Sequence, residues 1–397
     1  MFEQDRHVPL RPLPWNVNEV EAAIEDIIGD ALAHFDAGRF WPAHPLDEGL
    51  TDGHTSFYFG AAGMVWALDY LGRMGATKAQ FNFGAVVPKL IEANKIEFTP
   101  ENYQEYAAHG SFLFGDLGAG LVAMRLAPSF SITNTIYARA RANNDLPIRE
   151  LMWGTPGSML ACIHMAMMTN EPRWRALFAI QAARLLSELE ETDYGPLWTQ
   201  DLYGKRQRWL GPVHGYAGNM IPLLRGWNWL TQDQRTRIAE AIPRTLSLTA
   251  CRSERGANWR AIAIRDGPPK LCQHCHGAPG MVTTFAEVPF ASPQLDALLL
   301  EGGRFVWAAG PLAKGGGLCH GTAGNGYAFL KLHRRTGDTV WLDRARAFAM
   351  TAIAQVREMR TQFGRGRYTL WTGDIGSAIY LWDCLTAKPL FPTIDIL

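Results

Sequence analysis

Five side chains in the second half of the chain have the types and the clustering to bind a metal: His214, Cys275, His276, Cys319 and His320, each one or two places before a Gly-x-x-Gly motif. Thiolate and imidazole are the usual donors to zinc, and three protein donors leave a fourth position for water or substrate, the arrangement of a catalytic centre. The adjacent pair Cys319-His320 lacks the C-x₂₋₄-C spacing of structural zinc modules. A single buried cysteine packs as a small hydrophobe, and a histidine beside a turn commonly bonds backbone. The cluster therefore carries the reading, and no one residue does.

The clustering emerges when the chain is laid out on its internal repeat. Gly-x-x-Gly recurs seven times, with first glycines Gly60, Gly115, Gly154, Gly215, Gly277, Gly321 and Gly373. The residue before that glycine runs Phe59, Phe114, Trp153, His214, His276, His320, Thr372, and the one before it Tyr58, Leu113, Met152, Val213, Cys275, Cys319, Trp371. Metal-capable residues fill these columns in three consecutive repeats, and mostly aromatic or apolar residues fill the others. Register alone does not separate His276 from a ligand. The run Cys272-Gln-His-Cys275-His276 also matches covalent haem attachment, but no export signal accompanies it, and haem would leave Cys319-His320 unexplained. A redox pair would need a βαβ context and a zinc ribbon a second C-x-x-C, and neither is visible.

The elements that must hold these residues are helical. An apolar run with helical spacing follows most of the motifs, as in GMVWALDYLG and GNGYAFLKL, and amphipathic stretches such as TQDQRTRIAEAIPRTLSL lie between them, with Asp338 placed as an N-cap for one. Strand signals are weak. The pattern predicts an all-α fold, a seven-fold double-layered α/α toroid of helix pairs or, since periodicity does not decide closure, an open solenoid of the same pairs, over a single domain spanning 1–397 with repeats from about 15 to 390. The 38 basic and 38 acidic side chains cancel without a basic stripe, which argues against nucleic acid as a partner. No apolar run is long enough for a transmembrane segment, and no signal-peptide core is visible at the N-terminus, so the expected location is cytoplasmic. Six cysteines then read as thiols or ligands rather than a disulfide framework.

The segments ELMWGTPG, GPVHGYAGN, CHGAPGMV and GLCHGTAGNGYAFL, in this order, resemble those of the LanC-like family, related to lanthionine cyclases; FLFGDLG and the closing LFPTIDIL resemble its stand-alone branch. The resemblance implies one Zn²⁺ ligated by Cys275, Cys319 and His320, which demotes His276. It further implies His214 as a proton-transfer group and Glu150 as an acid–base or orienting partner. The family usually has tryptophan where this chain has His274, so His274 is carried as a further proton-carrying candidate on the substrate-facing wall. Asp116 and Asp374 read as helix caps. The implied activity is zinc-dependent thiol activation for addition to dehydroalanine or dehydrobutyrine residues of a peptide or protein, forming a thioether. Glutathione is the favoured thiol co-substrate. A lanthionine-forming cyclase using a precursor-peptide cysteine and a non-catalytic zinc scaffold are the alternatives.

Overall fold

The computed structural model describes residues 2–47, 52–98 and 110–397. Among them fourteen helices follow one another: α1 (Val17–Ala33), α2 (Ala61–Arg73), α3 (Val87–Glu97), α4 (Asp116–Leu126), α5 (Phe130–Ala142), α6 (Thr155–Thr169), α7 (Pro172–Ser187), α8 (Tyr216–Arg225), α9 (Gln232–Thr249), α10 (Ala278–Phe285), α11 (Pro293–Ala309), α12 (Thr322–Thr336), α13 (Thr339–Phe363) and α14 (Asp374–Thr386). The even-numbered helices are the inner layer. Each follows a Gly-x-x-Gly entrance and buries most of its circumference, as α6 does from Thr155 to Ala166. The odd-numbered helices form the outer layer and bury one stripe; in α9 that stripe is Ile238, Ala241, Ile242, Thr245, Leu246 and Thr249. Successive inner helices pack side by side, α14 packs against α2, and α1 packs against α14, so the ring closes.

The glycines explain how so many apolar helices enter one centre. The first glycine of each motif is the N-cap, and none of the seven has a side-chain cap. Six residues before each second glycine, the chain passes directly over the helix start. A Cβ added at Gly324 would lie 1.7 Å from the Leu318 carbonyl oxygen, and one at Gly280 would lie 2.0 Å from that of His274. The neighbouring repeat presses on the same spot, since the Gly280 Cβ would also meet Pro212 at 2.7 Å. Asp116 and Asp374 therefore do not cap, contrary to expectation. They are the first helical residues: Asp116 pairs with Arg139 at 2.9 Å, and Asp374 accepts from the Arg367 amide at 3.1 Å. Asp338 does cap α13, accepting from the Val340 amide at 3.0 Å.

Backbone bonds sew the entrances together in register. Tyr58 N–H donates to the Leu113 carbonyl (2.9 Å), Phe112 to Met152 (3.1 Å), Leu151 to Val213 (3.3 Å), Cys275 to Cys319 (3.0 Å), Cys319 to Trp371 (2.8 Å) and Trp371 to Tyr58 (3.2 Å). A hairpin precedes each of the fourth and fifth entrances, β1 (Gln200–Leu202) with β2 (Lys205–Gln207) and β3 (Ala250–Ser253) with β4 (Gly256–Trp259). Their trailing segments join there, with Leu210 N–H on Ala261 and Ala263 N–H on Arg208, both at 2.9 Å.

The C-terminal segment packs into the inner layer. Phe391 stacks on His274 with centroids 4.3 Å apart, and Asp395 accepts from the fully buried Lys331 at 2.5 Å. Arg225 donates to the Asp395 carbonyl at 2.8 Å. His164 of α6 bonds the Thr393 backbone, and burial pushes its imidazole down to about 4. No helix among the described residues is long and apolar enough to cross a membrane.

Two stability outcomes follow. Gly324→Ala should destabilise by about 2 kcal/mol or more, because backbone must move, whereas Gly29→Ala, with nothing within 4 Å on the exposed face of α1, should stabilise by up to about 1 kcal/mol; chemical denaturation reads both. His164 binds its proton more weakly folded than unfolded, so its contribution is intact above its usual 6.5 and is lost as pH falls towards about 4. His164→Gln should flatten the fall in unfolding free energy over that interval, by up to about 3 kcal/mol.

Candidate functional site

Cys275 and Cys319 end the loops that enter α10 and α12, and the amide bond from Cys275 to Cys319 brings them side by side. With His320 they form a cluster whose ligand atoms all lie within 4.8 Å of one another; among the described residues no further thiol, imidazole or carboxylate joins it. Both cysteines are buried and His320 is partly exposed, so the cluster is open on the imidazole side.

The Cys275 turn is held from three directions. Asn258 of β4 donates to the Leu271 carbonyl (3.0 Å) and accepts from the Ala278 amide (2.7 Å), taking the place of a cap on α10. Asn325 of α12 donates to the Cys272 carbonyl at 2.9 Å. Gly277, at φ +118, adopts a backbone conformation that side-chain-bearing residues rarely take. Gln273 pairs with His276 through both backbone groups, and its Nε2 donates to the Cys275 sulfur at 3.0 Å. The Cys319 thiol donates to Cys275. That bond holds Cys275 well below the usual thiol range against the opposing effect of burial, while Cys319 is pushed up by the same bond. The Tyr58 hydroxyl reaches Cys319. Two adjacent sulfurs, one of them supplied with donors that favour its thiolate form, beside an imidazole fit a tetrahedral zinc with one position to spare.

One repeat away, Glu150 is fully buried and His214 partly so, with His214 Nδ1 2.9 Å from Glu150 Oε2. The other carboxylate oxygen accepts the Trp153 amide. A carboxylate only accepts, so Nδ1 carries hydrogen and Nε2 is the atom that takes or gives a proton. His276 lies between this pair and the cluster, its ring 6.4 Å from that of His214. It is not in the cluster, and burial lowers its pKa. The first three repeats present Phe59, Phe114 and Trp153 in the same column, and Phe114 and Trp153 stack at 4.8 Å and 5°. That side is apolar, with Phe114 and Trp153 both buried.

His274 corrects the expectation of a wall residue. It is 1% exposed and occupies the column of Phe57, Phe112, Leu318 and Leu370, where side chains press on the next repeat's second glycine. Burial pushes it down to about 4, and it packs on Phe391. Its neighbour Cys272 is likewise core, with its thiol pushed up by burial. Gln273 and Tyr58 escaped sequence reasoning. Tyr58 shares the column of the two cysteines, which was the signal available; Gln273 is recognisable only from its contact.

A family model described as lanthionine synthetase C-like protein matches residues 21–396. The chain is similar to the LanC-like protein GCL1 of Arabidopsis thaliana, at 40% identity over 198 residues, covering 48% of this chain and 44% of that protein. It is also similar to a Danio rerio protein named glutathione S-transferase LANCL1, at 29% identity over 225 residues, covering 55% of this chain and 53% of that protein. These matches span about half the length of either relative. Nisin cyclase has a similar structure, with TM-score 0.55 and 14% identity over 93% of this chain and 98% of its own, a likeness of fold.

Cys319→Ser or His320→Ala should reduce zinc in the purified protein well below stoichiometric, whereas His276→Ala should retain it; elemental analysis distinguishes them. Gln273→Ala, which removes the donor to Cys275, should weaken zinc about tenfold in chelator competition.

Proposed function

The chain belongs to the lanthionine synthetase C-like family, and on that premise we propose that it adds a thiol, glutathione by preference, to dehydroalanine or dehydrobutyrine residues of a peptide or protein. The observation that carries this is the convergence of Cys275, Cys319 and His320, with the His214–Glu150 pair supplied by the fourth and third entrances. Zinc held by those three side chains would lower the pKa of a thiol at the remaining position and keep it as the nucleophile.

The protein's own groups account for the rest. Gln273 and Tyr58 donate towards the two cysteine sulfurs, which balances negative charge in a buried place. Sulfur forms a bond to the β-carbon of the dehydro residue as its C=C π bond breaks, and the α-carbon then takes a proton. The thiol loses one proton and the α-carbon gains one, so a single relaying group balances the addition. His214 Nε2 is that group in this reading, with Glu150 fixing the ring from the other side. The aromatic column of the first three repeats limits water, which favours addition of the held thiol over hydration of the alkene.

The likeness to a protein named as a glutathione S-transferase supports glutathione as the thiol. A set of three donors supports catalysis over a scaffold, because an exchangeable fourth position remains.

Incubating the zinc-loaded protein with a dehydroalanine peptide and glutathione should give a glutathione-sized mass increase. A peptide with its own cysteine that keeps its mass while losing a free thiol would indicate cyclisation instead, and no change in either would sink the enzymatic reading. His214→Ala should lower kcat about 10²- to 10⁴-fold with zinc content unchanged; full turnover would remove it from the mechanism.

A further inference from the structure

The hairpin between α7 and α8 has a two-residue turn, Tyr203-Gly204, with φ of +56 and +69. Such a turn is ordinarily filled by asparagine, aspartate or glycine in its first place, since a Cβ opposes this conformation. Tyrosine is a poor choice on local grounds, and with 46% exposure it is not there to fill a core. A residue held against its local preference points to a tertiary reason.

That reason is visible at the mouth of the ring. The Tyr203 ring stands edge-on to His214, with centroids 5.4 Å apart at 90°, and its hydroxyl accepts from Trp153 Nε1 at 3.2 Å. Trp153 donates its amide to Glu150, which accepts from His214. The four residues form a closed circuit: Glu150 to His214, His214 to Tyr203, Tyr203 to Trp153, Trp153 back to Glu150. A single bond from Glu150 fixes one atom of the imidazole and leaves the ring free to turn about that bond. An edge-on contact fixes the plane as well, and so aims Nε2.

We propose that Tyr203 is a positioning residue for His214, and that the β1–β2 hairpin is retained at the ring mouth to deliver it. Its effect on turnover rests on the proposed thiol addition; its effect on the imidazole does not. The residue acts through His214 and stabilises the ring orientation from which a proton reaches the α-carbon.

The test compares full-length, zinc-loaded Tyr203→Asn and Tyr203→Phe with the parent. Asparagine suits the turn better, so Tm should hold or rise, while kcat for glutathione addition falls about tenfold and KM for glutathione stays within about twofold. The His214 ring ¹⁵N signals, assigned with a His214→Gln variant, should shift or broaden in Tyr203→Asn and return towards the parent in Tyr203→Phe, which keeps the ring. Parent-like kcat with unmoved His214 signals in Tyr203→Asn would overturn the proposal. If the parent itself adds no glutathione, the functional reading fails, and the His214 signals alone still decide this one: moved signals support it and unmoved signals reject it.

Discussion

The hydrogen bond from the Cys275 amide to the Cys319 carbonyl is the constraint on which the site depends. It is one rung of a set that joins the entrances at every junction but that of the fourth and fifth repeats, and it puts two sulfurs from residues far apart in sequence beside one another. Such rungs require that loops approach at backbone distance. The glycines make that approach possible: a Cβ at Gly280 or Gly324 would occupy the space of a carbonyl oxygen of its own entrance loop, and at Gly280 also that of Pro212 in the neighbouring repeat. The recurring motif therefore reports close approach of the chain to the helix entrances, and the thiols and imidazole that converge at the site are passengers on it.

Given that scaffold, chemistry is allotted by repeat. Equivalent places carry Phe59, Phe114 and Trp153 on one side and His214, His276 and His320 on the other. The aromatic half packs against itself in stacked and tilted pairs, and the three histidines of the other half are partly exposed. A buried carboxylate such as Glu150 is tolerable only because both of its oxygens have donors. The same logic holds at the far end, where the fully buried Lys331 is neutralised by Asp395 and Glu287 and the closing segment is pinned by Arg225.

The fold was legible because apolar helices after Gly-x-x-Gly, alternating with amphipathic ones, leave few ways to bury so much apolar surface, and ring closure buries the last pair of edges. Asp338 as a cap was legible for a local reason, since capping involves residues two or three apart. Asp116 and Asp374 were misread as caps, because the glycine before each already occupies that place. His274 was expected on the substrate-facing wall because the family usually has tryptophan there, whereas in this chain the side chain is 1% exposed and packs on Phe391. Consecutive residues of a tight turn point in different directions, and this one points into the core.

By itself the sequence determined the repeat, the helix pairs and the column in which donors accumulate, since periodicity and residue type are one-dimensional properties that survive without coordinates; closure into a ring came from the packing of α14 on α2. The tertiary structure decided which donors meet. Cys275, Cys319 and His320 converge while His276 does not, because the direction of a side chain depends on φ and ψ of its turn, including the left-handed Gly277. It alone revealed Gln273 on the Cys275 sulfur and the circuit through Glu150, His214, Tyr203 and Trp153. Those contacts join residues from separate loops, and only closure of the ring brings such loops within hydrogen-bonding distance.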